Sequence, residues 1–224
     1  MKAMLLAAGR GERLRPLTER TPKALVEVGG KPLLGWHLER LAAAGCREAV
    51  INVSHLAQQI VDYVGDGRRF GLAVRYSREA EPLETAGGIA TALPLLGSAP
   101  FLLVNADIYC EVPFRPLLSH RLDAMLAHLV LVPNPAHRSK GDFSLAAGRI
   151  GDAASPRYTY AGVAVMSPQL VTPVKRGEKA PLAPLLYNAA REERLSGELF
   201  TGLWQDVGTA ERLAELAAQL ASRT

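Results

Sequence analysis

The apolar positions of this chain fall into short blocks separated by glycines and polar turns. Residues 2–7 are a continuous apolar run without alternation, which predicts a strand covered on both faces of a parallel sheet. Residues 8–32 read as a loop with four glycines and three prolines. Residues 33–44 then carry the spacing of an amphipathic helix closed by Gly45, and residues 48–53 read as a second strand. A helix over 56–64 ends at Gly65, a third strand covers 72–77, and a polar, turn-rich loop covers 78–88. A helix over 89–96 precedes a fourth buried strand, 101–105, whose apolar run stops abruptly at Asn105-Ala106-Asp107.

Beyond that point the order changes. Strands are predicted over 125–132 and 158–166, with a loop-rich stretch of short strands, 133–157, between them. A helix over 181–193, a strand over 198–204 and a helix over 209–221 complete the chain. Strands alternating with helices at this spacing predict an α/β fold with a doubly wound, mostly parallel, Rossmann-like sheet in three layers. No linker, low-complexity segment or repeat is visible, and no hexapeptide-repeat tail, so residues 1–224 read as one domain. The loop-rich middle reads as an insertion over the sheet.

Composition narrows the class. With 224 residues and 48% hydrophobic content the chain can bury a proper core, which excludes a disordered protein. Two cysteines, Cys46 and Cys110, exclude a disulfide-stapled scaffold and are expected as buried small hydrophobes in a reducing compartment. No segment is long enough to span a membrane. The early apolar run 3–8 is too short for a signal peptide, so a cytoplasmic protein is expected. The net charge of +4 has an address: residues 1–23 hold six cations against Glu12 and Glu19, and the rest of the chain is neutral. Diffuse basicity would suggest nucleic acid. Basicity concentrated beside glycines suggests a small anion such as phosphate.

Three motifs can carry chemistry. The first is Leu6-Ala-Ala-Gly9-Arg-Gly11-Glu-Arg13-Leu14 followed by Thr21-Pro22-Lys23. A glycine-rich turn after a first strand lets backbone N–H groups approach phosphate oxygens, and Arg13 and Lys23 can fold over the same anion. The dinucleotide fingerprint lacks its third glycine, where Leu14 stands, and no Gly-Lys-Ser/Thr of a P-loop follows. The second is Glu81-Pro82-Leu83-Glu84-Thr85-Ala86-Gly87-Gly88 ahead of a helix, readable as an anion- or carbonyl-receiving helix start or as a loop capped by Thr85. The third pairs Asp107, at the carboxyl end of a buried strand, with Asp206 in Trp204-Gln-Asp206-Val-Gly-Thr209. Each aspartate could cap a helix; together they match the one or two carboxylates that magnesium takes beside phosphates and water.

The first motif, continued by Arg15-Pro16-Leu17-Thr18 and by Ala24-Leu25 and Lys31-Pro32-Leu33, resembles the signature of sugar-1-phosphate nucleotidyltransferases. Those enzymes join a sugar 1-phosphate to a nucleoside triphosphate and release pyrophosphate. The resemblance implies that Leu6, Ala8, Gly9, Gly11, Glu12 and Arg13 line the nucleotide site, with Arg13 and Lys23 neutralising the reacting phosphates. It implies that Glu81, Thr85 and Gly87 lie on the nucleobase side, although many relatives carry glycine where this chain has Glu84. It makes Asp107 and Asp206 the ligands of Mg²⁺. Tyr160-Ala161-Gly162 resembles the family's step at which a glycine backbone meets the sugar, so Gly162, Asn105 and Asp142 are sugar-side candidates. A Glu-Lys-Pro segment common in hexose-type relatives is missing from 150–156, which leaves Asn134 and Lys140 as further polar candidates in that region.

The missing segment, the Glu-Pro-Leu-Glu-Thr loop and the bare C-terminus look most like the short N-acetylmuramate 1-phosphate uridylyltransferases of cell-wall recycling. The implied partners are UTP and a sugar 1-phosphate, with no nucleic acid and no membrane, and a monomer is expected. Mannose-1-phosphate guanylyltransferase, glucose-1-phosphate thymidylyl- or uridylyltransferase and phosphocholine cytidylyltransferase are the alternative readings. A non-catalytic nucleotide-binding regulator is a further one. The five histidines show no metal-ligand spacing, and no nucleophile elbow is present.

Overall fold

The strand β1 (Lys2–Leu6) has sheet neighbours on both edges, and its residues Ala3, Met4 and Leu5 have no exposed surface. The unbroken apolar run therefore serves a strand covered on both faces. The computed structural model describes residues 1–152 and 156–223. Its further strands are β2 (Glu27–Val28), β3 (Lys31–Pro32), β4 (Glu48–Val53), β5 (Ala73–Arg78), β6 (Phe101–Asn105), β7 (Ile108–Cys110) and β8 (Ala127–Val132). They continue with β9 (Phe143–Ala146), β10 (Arg149–Gly151), β11 (Arg157–Met166), β12 (Leu195–Leu199) and β13 (Trp204–Asp206). The helices are α1 (Leu17–Arg20), α2 (Leu33–Ala43), α3 (Ala57–Val64), α4 (Glu84–Leu96), α5 (Phe114–Ser119), α6 (Ala183–Arg191) and α7 (Ala210–Ala221).

β4 and β6 flank β1 in parallel, and β5 extends the sheet in parallel beyond β4. Leu6 is in register with Asn52 on one side and Asn105 on the other, so three carboxyl ends finish at one level. Helices cover both faces. Leu34 and Leu38 of α2, Ile60 of α3 and Phe114 of α5 pack with Leu5, Ile51 and Val104. Ile89 and Ala92 of α4 and Leu186 of α6 pack with Met4, Val50 and Leu103. Leu216 of α7 joins Leu14, Val28, Leu33, Tyr109 and Val207 in a smaller core beside the loop after β1.

The doubly wound, mostly parallel sheet expected from the sequence holds only for β5-β4-β1-β6. Past β6 the sheet is mixed. β11 is antiparallel to β6 and β8, β12 is parallel to β8, and β10 and β9 follow antiparallel. β9 then returns to β11, so these five strands close into a ring. The register of β11 on β8 jumps between Tyr160 and Ala164, where Gly162 has a positive φ of 77°. That irregularity bends a ten-residue strand so that one half continues the open sheet and the other half joins the ring. Long-range antiparallel pairing leaves no helical crossover in the sequence to announce it.

Smaller departures share that origin. The strand expected over 198–204 is two strands: β12 ends at Leu199, and β13 pairs antiparallel with β7. α4 starts at Glu84 rather than at residue 89 and contains both glycines 87 and 88. A Cβ at Gly87 would stand 2.1 Å from the Glu178 carbonyl oxygen, so neighbouring chain rather than helix propensity decides that position. The short elements β7 and α5 had no sequence signal. Cys46 and Cys110 are free and buried, as expected, and burial raises both thiols, Cys110 to about 11.

His37 of α2 is 1% exposed; its Nε2 donates to the Ile108 carbonyl at 2.8 Å, and Nδ1 is buried without a hydrogen-bond partner. Burial lowers its pKa from 6.5 to about 4. The unfolded chain therefore takes up this proton first, and stability falls as pH drops through that window. The loss amounts to roughly 3 kcal/mol once the lower value is passed. His37→Gln keeps a donor for Ile108 and cannot ionise. Urea titrations between about pH 4 and 7 should show a flatter acid limb for this variant than for the parent. Identical slopes would assign the acid sensitivity to other groups.

Candidate active site

Where β1, β4 and β6 end together, the chain leaves a cavity of about 180 Å³. The carboxyl ends of parallel strands are where open α/β sheets take their ligands. One wall is the exit from β1, Leu6 to Gly9, with Lys23 and Ala24 beside it. The opposite wall is Pro82 to Thr85 at the start of α4, and Asn52, Glu79, Asn105 and Asp107 complete the lining. Of the residues proposed from the sequence, the cavity thus gathers Leu6, Ala8, Gly9, Lys23, Thr85, Asn105 and Asp107. Gly11, Glu12, Arg13, Glu81, Gly87, Asp142, Gly162 and Asp206 are not among its lining residues.

The loop after β1 is held in shape by its own residues. Gly11 has φ 66°, and a Cβ there would meet Thr18 Cγ2 at 2.8 Å and Lys23 Cβ at 3.1 Å. The Thr18 hydroxyl donates to the Gly11 carbonyl at 2.8 Å, and Leu14 N donates to the same oxygen at 2.9 Å. Gly11 therefore lets the loop fold against the stem of Lys23. Arg10, Glu12 and Arg13 of the same loop are exposed.

Lys23 Nζ reaches Asp107 Oδ2 at 2.5 Å, with the lysine side chain only 11% exposed and the aspartate 40% exposed. The contact joins the loop after β1 to the end of β6. Val207 N donates to the Asp107 carbonyl at 3.1 Å, and Asp206 pairs with Ile108 across the β7–β13 ribbon, which draws the second aspartate to the same end. Asp206 Oδ2 takes a charge-assisted bond from Arg212 Nη1. Its Oδ1 is buried without a hydrogen-bond partner. His137 Nε2 lies 3.0 Å from that oxygen and 2.9 Å from Arg212 Nη1, between the carboxylate and the guanidinium.

On the α4 side, Ala86 N and Gly87 N both donate to the Ala180 carbonyl, at 3.0 and 3.1 Å. The helix start that the sequence offered to an anion or carbonyl is occupied by the chain's own backbone. Thr85 lies inside the helix, where it faces the cavity instead of capping. Glu81 is exposed. On the sugar side, Gly162 packs against Asn105. Asp142 accepts from Tyr160 N at 2.8 Å and pairs with Arg138 at 3.5 Å. Asn134 donates to the Arg157 and Ser139 carbonyls and so ties the loop together. Residues 153–155 of the stretch that lacks a lysine lie outside the described residues. Asn52 and Glu79 had no part in the sequence reading, though Asn52 left a trace as the one polar residue between the apolar positions 49–51 and 53 of its strand.

Residues 2–141 match the family described as Nucleotidyl transferase. The chain belongs to this nucleotidyl transferase family. It is 49% identical over 225 residues to an N-acetylmuramate alpha-1-phosphate uridylyltransferase of Neisseria meningitidis, covering 97% of both chains. It is 35% identical to the enzyme of that name from Caulobacter vibrioides, covering 97% of this chain and 95% of the other. Among solved structures, a UDP-glucose pyrophosphorylase complexed with UDP-glucose superposes with a TM-score of 0.81 at 20% identity. That match covers 100% of this chain and 99% of the other, and it speaks for the fold. Family members transfer nucleotides, and the cavity sets a largely buried lysine beside a strand-end aspartate. No helix among the described residues is long and apolar enough to cross a membrane.

Gly11→Ala should lower the unfolding free energy by about 1–2 kcal/mol, since alanine must adopt a left-handed backbone against Thr18 and Lys23. Chemical denaturation reads this directly. An unchanged midpoint would show that the loop relaxes freely.

Proposed function

We propose that this chain transfers the uridylyl group of UTP to N-acetylmuramate 1-phosphate, giving UDP-N-acetylmuramate and pyrophosphate in cell-wall recycling. The observation that carries this reading is the identity with the Neisseria enzyme, 49% over almost the full length of both chains. The nucleotide is read across the cavity, its phosphates toward Gly9, Gly11, Arg13 and Lys23 and its base toward Pro82 to Thr85. The sugar is read toward Asn105, Gly162 and Asp142.

A phosphate oxygen of the sugar phosphate attacks the α-phosphorus of UTP in line. The bond from that phosphorus to the bridging oxygen breaks, and pyrophosphate leaves with the electron pair. The nucleophile is already ionised near neutral pH, so no general base is required. The protein's task is to bring two anions together and to neutralise charge as it develops. Lys23 and Arg13 serve this at the reacting phosphates.

Asp107 and Asp206 are the residues that would hold Mg²⁺. Asp206 Oδ1 is buried without a hydrogen bond, and an oxygen of that kind suits a hard cation. Among the described residues no three histidine, cysteine or acidic side chains are grouped to hold a metal, so phosphate oxygens and water would complete the shell. Bound there, the ion would screen the repulsion between the two phosphate groups.

A pyrophosphate-release panel of UTP, dTTP, GTP and CTP against N-acetylmuramate, mannose, glucose and choline phosphates should give turnover with UTP and N-acetylmuramate 1-phosphate. Turnover confined to another pair would replace this reading with that activity, and nucleotide binding without any turnover would favour a regulator. Lys23→Ala should lower turnover by ~10²–10³. Near-parental pyrophosphate release would remove Lys23 from the chemistry.

A further inference from the structure

Asn52 and Glu79 are 3% and 7% exposed, and both line the cavity. Ala7 N donates to Asn52 Oδ1 at 2.8 Å, and Asn52 Nδ2 donates to Glu79 Oε1 at 2.7 Å. Leu83 N donates to Glu79 Oε2 at 3.0 Å. Three consecutive bonds thus connect the exit from β1 with the residue that precedes α4, and both end residues also line the cavity. α4 packs directly onto the pair: a Cβ at Gly88 would stand 2.7 Å from Asn52 Nδ2 and 2.8 Å from Glu79 Oε1. Burial pushes the Glu79 carboxyl up, while its two donors hold it down.

We propose that Asn52 and Glu79 are positioning residues for the nucleotide. They set the rim 82–85 at a fixed separation from the backbone of residues 7–9, so that base and phosphates are held at once. The proposal rests on the reading of these two walls as the base and phosphate sides. A packing role alone would need only volume at these positions. The observed link needs a definite order of donors and acceptors, with an amide at 52 presenting its oxygen to Ala7 and its nitrogen to Glu79, and a carboxylate at 79 accepting from both sides.

That order can be broken and restored. Asn52→Asp turns the donor that faces Glu79 into an acceptor. Glu79→Gln puts a donor opposite either Asn52 Nδ2 or Leu83 N. In the double variant N52D/E79Q the order is satisfied again with reversed polarity. The carboxylate at 52 accepts from Ala7 N and from the amide at 79, whose oxygen accepts from Leu83 N. Both substitutions are nearly isosteric, and thermal unfolding reports whether each variant folds. The ionisable groups that share the cavity are Lys23, Glu84 and Asp107, so the four proteins are compared at one pH.

Steady-state kinetics should show each single variant with a KM for UTP raised about tenfold, the effect of one unsatisfied buried polar group. The KM for the sugar phosphate should stay near the parental value. The double variant should return the KM for UTP to within about threefold of the parent. Calorimetric Kd values for UTP should follow the same pattern. The proposal is overturned by single variants that keep the parental KM for UTP, by a double variant no better than the worse single, or by losses shared equally between both substrates. A lowered unfolding temperature with unchanged UTP binding would leave a structural role only, and would also overturn it. If the parent turns over a different nucleotide, the uridylyl reading fails, and the same rescue pattern measured with that nucleotide decides the role of Asn52 and Glu79.

Discussion

Leu6 lies level with Asn52 on one side and Asn105 on the other, and the candidate site is assembled on that register. Because β1, β4 and β6 are parallel and finish together, their exits diverge from one line and leave room between them. The backbone groups released there find local partners. Ala106 N donates to the Leu6 carbonyl at 3.1 Å, and Ala7 N goes to Asn52. A shift of one residue in β4 would carry Asn52 out of level with Leu6, and a shift in β6 would do the same to Asn105 and Asp107.

Charge is then placed where the strands stop. The cationic loop after β1 delivers Lys23 to Asp107, and the β7–β13 ribbon brings Asp206 to the same end under Arg212. Each carboxylate of this pair is balanced by a cation, Asp107 by the distant Lys23 and Asp206 by Arg212 six residues on. The fold can therefore gather these carboxylates without leaving a buried charge unpaired.

The second half of the sheet does different work. Its ring of β11, β8, β12, β10 and β9 is reached through the bend at Gly162, beside Asn105. The bend that closes the ring therefore stands next to a residue of the cavity wall. Asp142 stabilises the same region by accepting from the backbone of Tyr160. The proposed sugar-side residues are in this way tied to the architecture, and the glycine of the bend packs against the cavity residue Asn105.

Local pattern determined a good deal. The apolar runs of β1, β4 and β6, the capped helices α2 and α3, the cationic glycine loop and the strand-end Asp107 were legible because burial on two faces, helix ends and phosphate contact each demand particular residues at short spacing. The sequence also indicated the family, through a long ordered motif. Only the tertiary structure decided what depends on distant partners. The closure of the mixed half of the sheet is one such feature, the capture of the α4 amides by Ala180 a second, and the Ala7–Asn52–Glu79–Leu83 link a third. Pairing between antiparallel strands and hydrogen bonds between buried side chains depend on which segments meet in space. A lone asparagine in a strand and a glutamate in a loop carry no periodicity that would declare such a meeting.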